Sequence, residues 1–270
     1  MTENQRRPAP RRRRRVHKTR LVGCFVVLLL IIILISSLIS GCVKKIKDKP
    51  AKQSSGTSVS DPAVTDQPDI HHETGNIVVC LDPGHGGSDP GSEYGARLEK
   101  DDDLRYAREV YEAMKQYEGI DVYLTRDSDI YLSNEDRAEF SNSVNADLHV
   151  ALHRNYFSDS TAYGLEVWVK SAPDQIDDVF SFKVISKLSS VGIQKNRGVK
   201  TGHPKNDDYE IVKMTNANCI TIELGYITND KDNELFDQHL TEYAAAIAEA
   251  ISETCYEQIK PVKEKELNGE

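Results

Sequence analysis

None of the five cysteines falls in a CxxC pair or close to another cysteine at a motif spacing. The chain gives no sign of a disulfide, and its cysteines read as small buried hydrophobes. No segment repeats. The glycine-rich stretch at 84–95, GHGGSDPGSEYG, lacks the Lys-Ser/Thr that completes a P-loop and the spacing of a dinucleotide fingerprint, which argues against a phosphate cradle. Positive charge is scarce over most of the chain. The 270 residues carry a formal charge of −9, yet residues 1–20 hold eight Arg and one Lys against Glu3, a net of +8 that leaves −17 on residues 21–270. So acidic a body excludes a nucleic-acid partner for it, because phosphate binding needs clustered Lys and Arg.

Charge of either sign is absent from Leu21 to Ser40 (LVGCFVVLLLIIILISSLIS). Twenty residues of helix span ~30 Å, the thickness of a bilayer hydrocarbon core. Segment 21–41 is therefore expected to be a single membrane helix, with the basic arm 1–20 holding its amino end in the cytoplasm. Ile39-Ser40-Gly41-Cys42 also resembles a lipobox, in which Cys42 would be lipidated after cleavage. The apolar run exceeds the ~7–15 residues usual for a signal peptide, so the uncleaved helix is the preferred reading. Both readings tie the rest of the chain to the outer side of a membrane. Residues 42–74 are polar, rich in Lys, Ser, Asp and Pro, and lack hydrophobic periodicity. Such a segment cannot offset its ordering entropy by burial and reads as a flexible linker with a root-mean-square reach of ~30 Å. His71 and His72 fall in it and read as solvated.

From Asn76 the texture changes. Ile77–Leu81 is a short apolar run ending in Asp-Pro-Gly, as expected of a buried strand and a loop. Leu104, Ala107, Val110, Tyr111 and Met114 recur at helical spacing. Ile120–Thr125, Leu148–Leu152, Gly164–Val169 and Ile220–Leu224 read as strands. Helices are expected from Ser133, an N-cap with Asp136, over Phe180–Val191, and over Phe236–Ile251. Strands alternating with helices predict one α/β domain over 75–258, a mostly parallel twisted sheet flanked by helices. Residues 259–270 read as a disordered tail.

Four residues of this domain have metal or acid–base chemistry and telling positions. His85 follows the first strand, Glu99 comes fourteen residues later before the first helix, His153 closes the Leu148–Leu152 strand, and Glu223 lies near the end of the Ile220–Leu224 strand. Ligands of a parallel α/β sheet bind beyond the carboxyl ends of its strands, so all four can converge on one edge. Two His and one Glu form a catalytic zinc set with a position open for water, and a further Glu nearby can act as general base. The glycines around His85 allow the sharp turn that aims its imidazole into the crevice.

The motifs carrying these residues resemble the zinc-dependent N-acetylmuramoyl-L-alanine amidases. LDPGHGGSDPG at 81–91 is similar to the family's opening zinc motif, Glu99-Lys100 to its Glu-Lys, and Leu124-Thr125-Arg126 to its Leu-Thr-Arg. Arg137 with Asn142 matches the following Arg and Ala-Asn element. His153 and Asn155 match Ser-Ile-His-Ala-Asn, Gly164-Leu165-Glu166 resembles Gly-Val-Glu, and Glu223–Asn229 (ELGYITN) resembles the closing Glu-Leu-Gly-Phe-Ile-Ser-Asn. Seven motifs in order, from Asn76 to about Tyr256, cover the globular part.

The resemblance implies one zinc ion on His85, Glu99 and His153, with Glu223 as the catalytic carboxylate. It implies peptidoglycan as substrate, at the amide joining N-acetylmuramic acid to L-alanine, in a domain held outside a bacterial cell membrane. A non-catalytic wall-binding or scaffolding module on the same fold is the alternative; it would lack one of the four residues, and all are present.

Ala151 stands where the family has Ser, His149 where it has an apolar residue, and Arg154 where it has Ala, so Arg154 is expected to add a cation beside the site. The family's Pro before the last strand is missing from Asn216–Cys219. Asp82 is read either as orienting a ligand His or as capping the loop, Arg126 and Arg137 as structural, His149 as packed, and His203 as a solvated loop residue. The seventy residues between His153 and Glu223 show one helix pattern, so no large inhibitory helix is expected over the site.

Overall fold

The computed structural model describes residues 75–202 and 210–269. The basic arm, the apolar stretch with Cys42, the linker with His71 and His72, and His203 lie outside them. No helix among the described residues is long and apolar enough to cross a membrane.

The strands are β1 (Ile77–Pro83), the short pair β2 (Glu93–Tyr94) and β3 (Arg97–Leu98), β4 (Ile120–Leu124), β5 (Leu148–Asn155), β6 (Leu165–Val169), β7 (Asn196–Thr201) and β8 (Asn218–Tyr226). The helices are α1 (Glu99–Met114), α2 (Asn134–Ser143), α3 (Gln175–Val191), α4 (Glu210–Met214), α5 (Asp230–Thr254) and α6 (Lys260–Asn268). Six strands form one sheet in the order β4-β1-β5-β8-β6-β7. Pairing is parallel throughout except between β8 and β6, which run antiparallel. The expected mostly parallel sheet is present, and the β6 reversal brings the start of that strand beside the end of β8.

Alternation along the strands sorts residues onto two unlike faces. Val79 and Leu81, Val150 and Leu152, Ile220 and Ile222, and Leu165 and Val167 form a continuous apolar face, and the main core packs it against α1, α3 and α5 through Tyr106, Val110, Phe180, Val184, Phe236 and Ile247. The other face presents Cys80, Asp82, His149, Ala151, Cys219 and Thr221, all buried, toward α2. This polar face ends in His153 and Glu223.

Ser133 caps α2 with Asp136 in a reciprocal box, as expected. The short pair β2–β3, edge strand β7 and α4 are additional to the elements read from the sequence. Each is short or carries Gly and charged residues in place of an apolar period. The expected disordered tail is also corrected. A single π-turn, Cys255–Ile259, carries α5 into α6, and Lys263 pins α6 to Asp147 Oδ2 at 2.5 Å and to the Asn76 carbonyl at 3.0 Å.

Candidate metal centre and active site

β1 ends in a tight loop whose backbone puts His85 in the left-handed region, with φ of 56°. Gly86 follows with φ of 128°, and any Cβ there would lie 2.2 Å from the Ile130 carbonyl; only glycine fits. Two buried arginines hold the loop by its carbonyls. Arg137 donates to Pro83 O at 2.7 Å and His85 O at 2.6 Å, and Arg126 donates to Gly84 O at 2.6 Å and Pro83 O at 3.1 Å.

Asp82 anchors this arrangement by accepting from Arg137 at 2.7 Å and from Thr125 at 2.5 Å, with His149 Nε2 at 3.5 Å. Burial works to raise the Asp82 carboxyl, but Arg137, then His149 and Thr125, hold it well below the usual range. Asp82 thus acts on the loop through Arg137 and touches neither ring of the cluster. His149 is packed, as expected.

His85 Nδ1 donates to Asp89 Oδ2 at 2.7 Å, which turns Nε2 toward Glu99 Oε1, 3.4 Å away. Glu99 opens α1. Its Oε2 accepts from the Ser92 amide at 2.8 Å, and its Oε1 lies 3.2 Å from His153 Nδ1. The His153 ring meets the His85 ring edge-on, with centroids 5.1 Å apart. One turn along α1, Asp103 Oδ2 lies 3.7 Å from the same His153 nitrogen. Burial pulls the His85 imidazole down, but Glu99 and then Asp89 overcome it and lift it to about 9. Burial would raise the Glu99 carboxyl, yet His153 and His85 keep it far below its ordinary value.

Ligand atoms of His85, Glu99, Asp103 and His153 all lie within 4.8 Å of one another. The separations of 3.4, 3.2 and 3.7 Å along the series sit close to ~3.3 Å, the edge of a tetrahedron built on metal–ligand bonds of ~2.0 Å. Imidazole and carboxylate donors at that spacing fit a divalent cation.

Glu223 stands opposite His153 across the β5–β8 pairing and opposite Glu166 across β6. Glu166 is buried and accepts from Asn155 Nδ2 and Tyr226 OH, each at 3.2 Å, and from Arg197. His85, Glu99, His153, Glu223, Asp82 and Asn155 all line one cleft of ≈ 690 Å³, with Tyr131 and Tyr156 half exposed at its mouth. Glu210 and Ile211 of α4 form part of its wall; the helix has five residues.

The expectation for Arg154 is corrected. Its backbone amide donates to Glu99 Oε1 at 3.3 Å and the residue lines the cleft, but as an even-numbered residue of β5 its side chain shares the apolar face with Val150 and Leu152. Its guanidinium, 1% exposed, donates to Asp102 at 2.6 Å and Asn233 at 2.8 Å and lies over the Phe236 ring. Asp89 and Asp103, by contrast, are site residues the motifs did not single out. Asp103 had one signal, its position four residues after Glu99 and hence on the same helix face.

A mostly parallel α/β sheet with a His and carboxylate cluster at its carboxyl edge is the layout of an α/β metallohydrolase. A family model for N-acetylmuramoyl-L-alanine amidase matches residues 79–253, and the chain belongs to this family. Among curated proteins it is similar to the probable cell wall amidase LytH of Staphylococcus aureus, 30% identical over 167 residues that make up 60% of this chain and 52% of the relative. The chain thus spans about half the length of the curated relatives it matches. Among solved structures, an N-acetylmuramoyl-L-alanine amidase of Clostridium difficile 630 shares 28% identity with a TM-score of 0.63, over 68% of this chain and 100% of that one. The CwlD amidase of Clostridioides difficile, solved in complex with the GerS lipoprotein, shares 28% identity with a TM-score of 0.59, over 67% of this chain and 99% of that one.

Proposed function

We propose that this chain hydrolyses the amide bond between N-acetylmuramic acid and L-alanine in peptidoglycan, with one zinc ion on His85, Glu99 and His153 and with Glu223 as the acid–base residue. One observation carries the reading: residues from three strand ends and a helix start converge on one cleft, and their donor spacing fits a divalent ion.

Held by His85, Glu99 and His153, a zinc ion would supply Lewis acidity for the scissile carbonyl and for activation of the attacking water. The protein does the rest. Asp89 fixes His85 with Nε2 inward, since it accepts from Nδ1. The Ser92 amide fixes the second oxygen of Glu99. Glu223 faces His153 from the next strand, takes the proton of the attacking water, and returns it to the departing L-alanine amine. No covalent enzyme intermediate is needed. A glycan strand and a free stem peptide leave the cleft.

The basic arm and apolar segment 21–41 support a location at a bacterial cell membrane, with one amino-terminal anchor and the catalytic domain outside. Whether that anchor is the uncleaved helix or a lipid on Cys42 is answered by the mass of the mature amino terminus.

The test incubates the purified chain with peptidoglycan, with and without a zinc chelator, and identifies products by mass spectrometry. Stem peptides with a new L-alanine amine, lost on chelation and restored by zinc, are expected. Glu223→Gln should retain zinc and lose ~10²–10⁴-fold in kcat. Turnover in that variant at the wild-type rate would remove Glu223 from the mechanism.

A further inference from the structure

Asp102 and Asp103 are adjacent on α1 and both buried, yet they are treated in opposite ways. Asp102 accepts from Arg97 and Arg154, each at 2.6 Å, and from Arg105 at 3.4 Å. Asp103 is 0% exposed, and neither of its oxygens accepts a hydrogen bond from any described residue. Arg126 is the cation on its side, but its hydrogen bonds go to the carbonyls of Pro83, Gly84, Lys100 and Ser128. A carboxylate buried without a partner costs several kcal/mol, and a fold rarely keeps one unless something else satisfies it.

What Asp103 does face is the cluster. Its Oδ2 is 3.7 Å from His153 Nδ1 and within 4.8 Å of ligand atoms on His85 and Glu99. We propose that Asp103 is a fourth protein ligand of the metal centre, making it a two-histidine, two-carboxylate site rather than the three-ligand set the motifs imply. This rests on the reading of His85, Glu99 and His153 as ligands.

The charge balance and the donor set agree. The two carboxylates balance the charge of a divalent ion, and a second oxygen donor widens the metals the centre accepts toward harder ions such as manganese.

The test is the metal affinity of the full chain and its Asp103→Asn variant, by competition with a chromophoric chelator on stripped protein. Zinc binding at least ~10-fold weaker in the variant is expected, by the scale set for groups around metal ligands, together with equal or higher thermal stability of the metal-free variant. Equal zinc affinity in the two proteins overturns the inference. Should the variant not fold, a zinc-loaded crystal structure of the unaltered chain decides. An Asp103 oxygen within ~2.2 Å of the ion is expected, and an oxygen beyond ~3 Å, outside that bonding range, overturns it. Failure of the wild-type chain to bind zinc would instead sink the proposed function along with this inference, so the two failures are distinct.

Discussion

Gly84 offers the sharpest perturbation, because it lies against a site residue and has no other evident reason to be glycine. Its φ is not in the left-handed region, yet a Cβ placed on it would sit 2.1, 2.4 and 2.6 Å from Cε1, Nδ1 and Nε2 of His153. Ordinary contact begins at 3.4 Å, so Gly84→Ala must drive ring and backbone apart by about 1.3 Å at the closest atom. The Gly84 carbonyl is held by Arg126 and its amide donates to Leu152 O, so the imidazole is the part that yields. Overpacking of this kind costs ~1–3 kcal/mol, and a shift of ~1 Å at a reacting centre costs on the order of 10²-fold in rate.

The assay is a double-mutant cycle. Gly84→Ala, His153→Ala and the double variant are unfolded in denaturant without metal, and zinc affinity is measured on Gly84→Ala alone. If the ring is the obstacle, Gly84→Ala costs its full ~1–3 kcal/mol beside His153 and almost nothing once the ring is gone. That difference lies within the ~0.5–3 kcal/mol found for residues in contact. The same penalty in both backgrounds would refute the reasoning, because the strain would then lie in the backbone.

The remaining predictions concern groups around the cluster. Asp82→Asn breaks a buried ion pair with Arg137 and should cost ~3–5 kcal/mol at pH 7. Because the folded Asp82 carboxyl is depressed, its stabilisation is present above the unfolded value of ~3.9 and lost as pH falls through the folded one. Denaturation curves of wild type and variant should therefore stay equally far apart from pH 7 to 5 and converge below pH ~4; a gap that persists in acid would refute it. Asp89→Asn leaves His85 Nδ1 without a carboxylate and should weaken zinc binding ~10–100-fold, with little loss of stability because its side chain is 44% exposed; chelator competition reads this. Arg154→Met removes the buried donor to Asp102 and Asn233 but leaves Arg97 on Asp102, and should cost ~1–3 kcal/mol, while kcat/KM measured well below the unfolding temperature changes by only a few-fold. A large rise in KM alone would mean that Arg154 meets the substrate.

The fold was legible where pattern and period agree. β1, β5 and β8 are apolar runs ending at His85, His153 and Glu223, and the rule that parallel sheets bind ligands at strand carboxyl ends is enough to bring those three together. Edge strand β7 was not, since its sequence, NRGVKT, has neither a continuous apolar run nor clean alternation. Arg154 shows a different limit. Its neighbour His153 defines the site, but a strand turns successive side chains to opposite faces, so the Arg154 guanidinium leaves on the other face although its amide bonds Glu99. That much could have been derived from the strand assignment alone.

Asp103 was passed over, for a reason that lies in how a helix docks. Asp101, Asp102 and Asp103 follow one another at the start of α1, and such a run reads as a solvated face. At 3.6 residues per turn each step rotates the side chain by ~100°, so three neighbours point in three directions. Asp101 is exposed, Asp102 is buried under Arg154, and Asp103 is buried against His153. Which of them meets the cluster depends on the phase at which α1 lies on the sheet, and that phase is set by Tyr106, Val110 and Met114 packing into the core. Glu99 fixes the phase in principle: once it is taken as a ligand, the residue four positions on must share its face. The same step predicts that loss of the Asp103 carboxylate, as in Asp103→Asn with Val110 and Met114 intact, cannot be rescued by Asp102, whose carboxylate is already committed to Arg97 and Arg154.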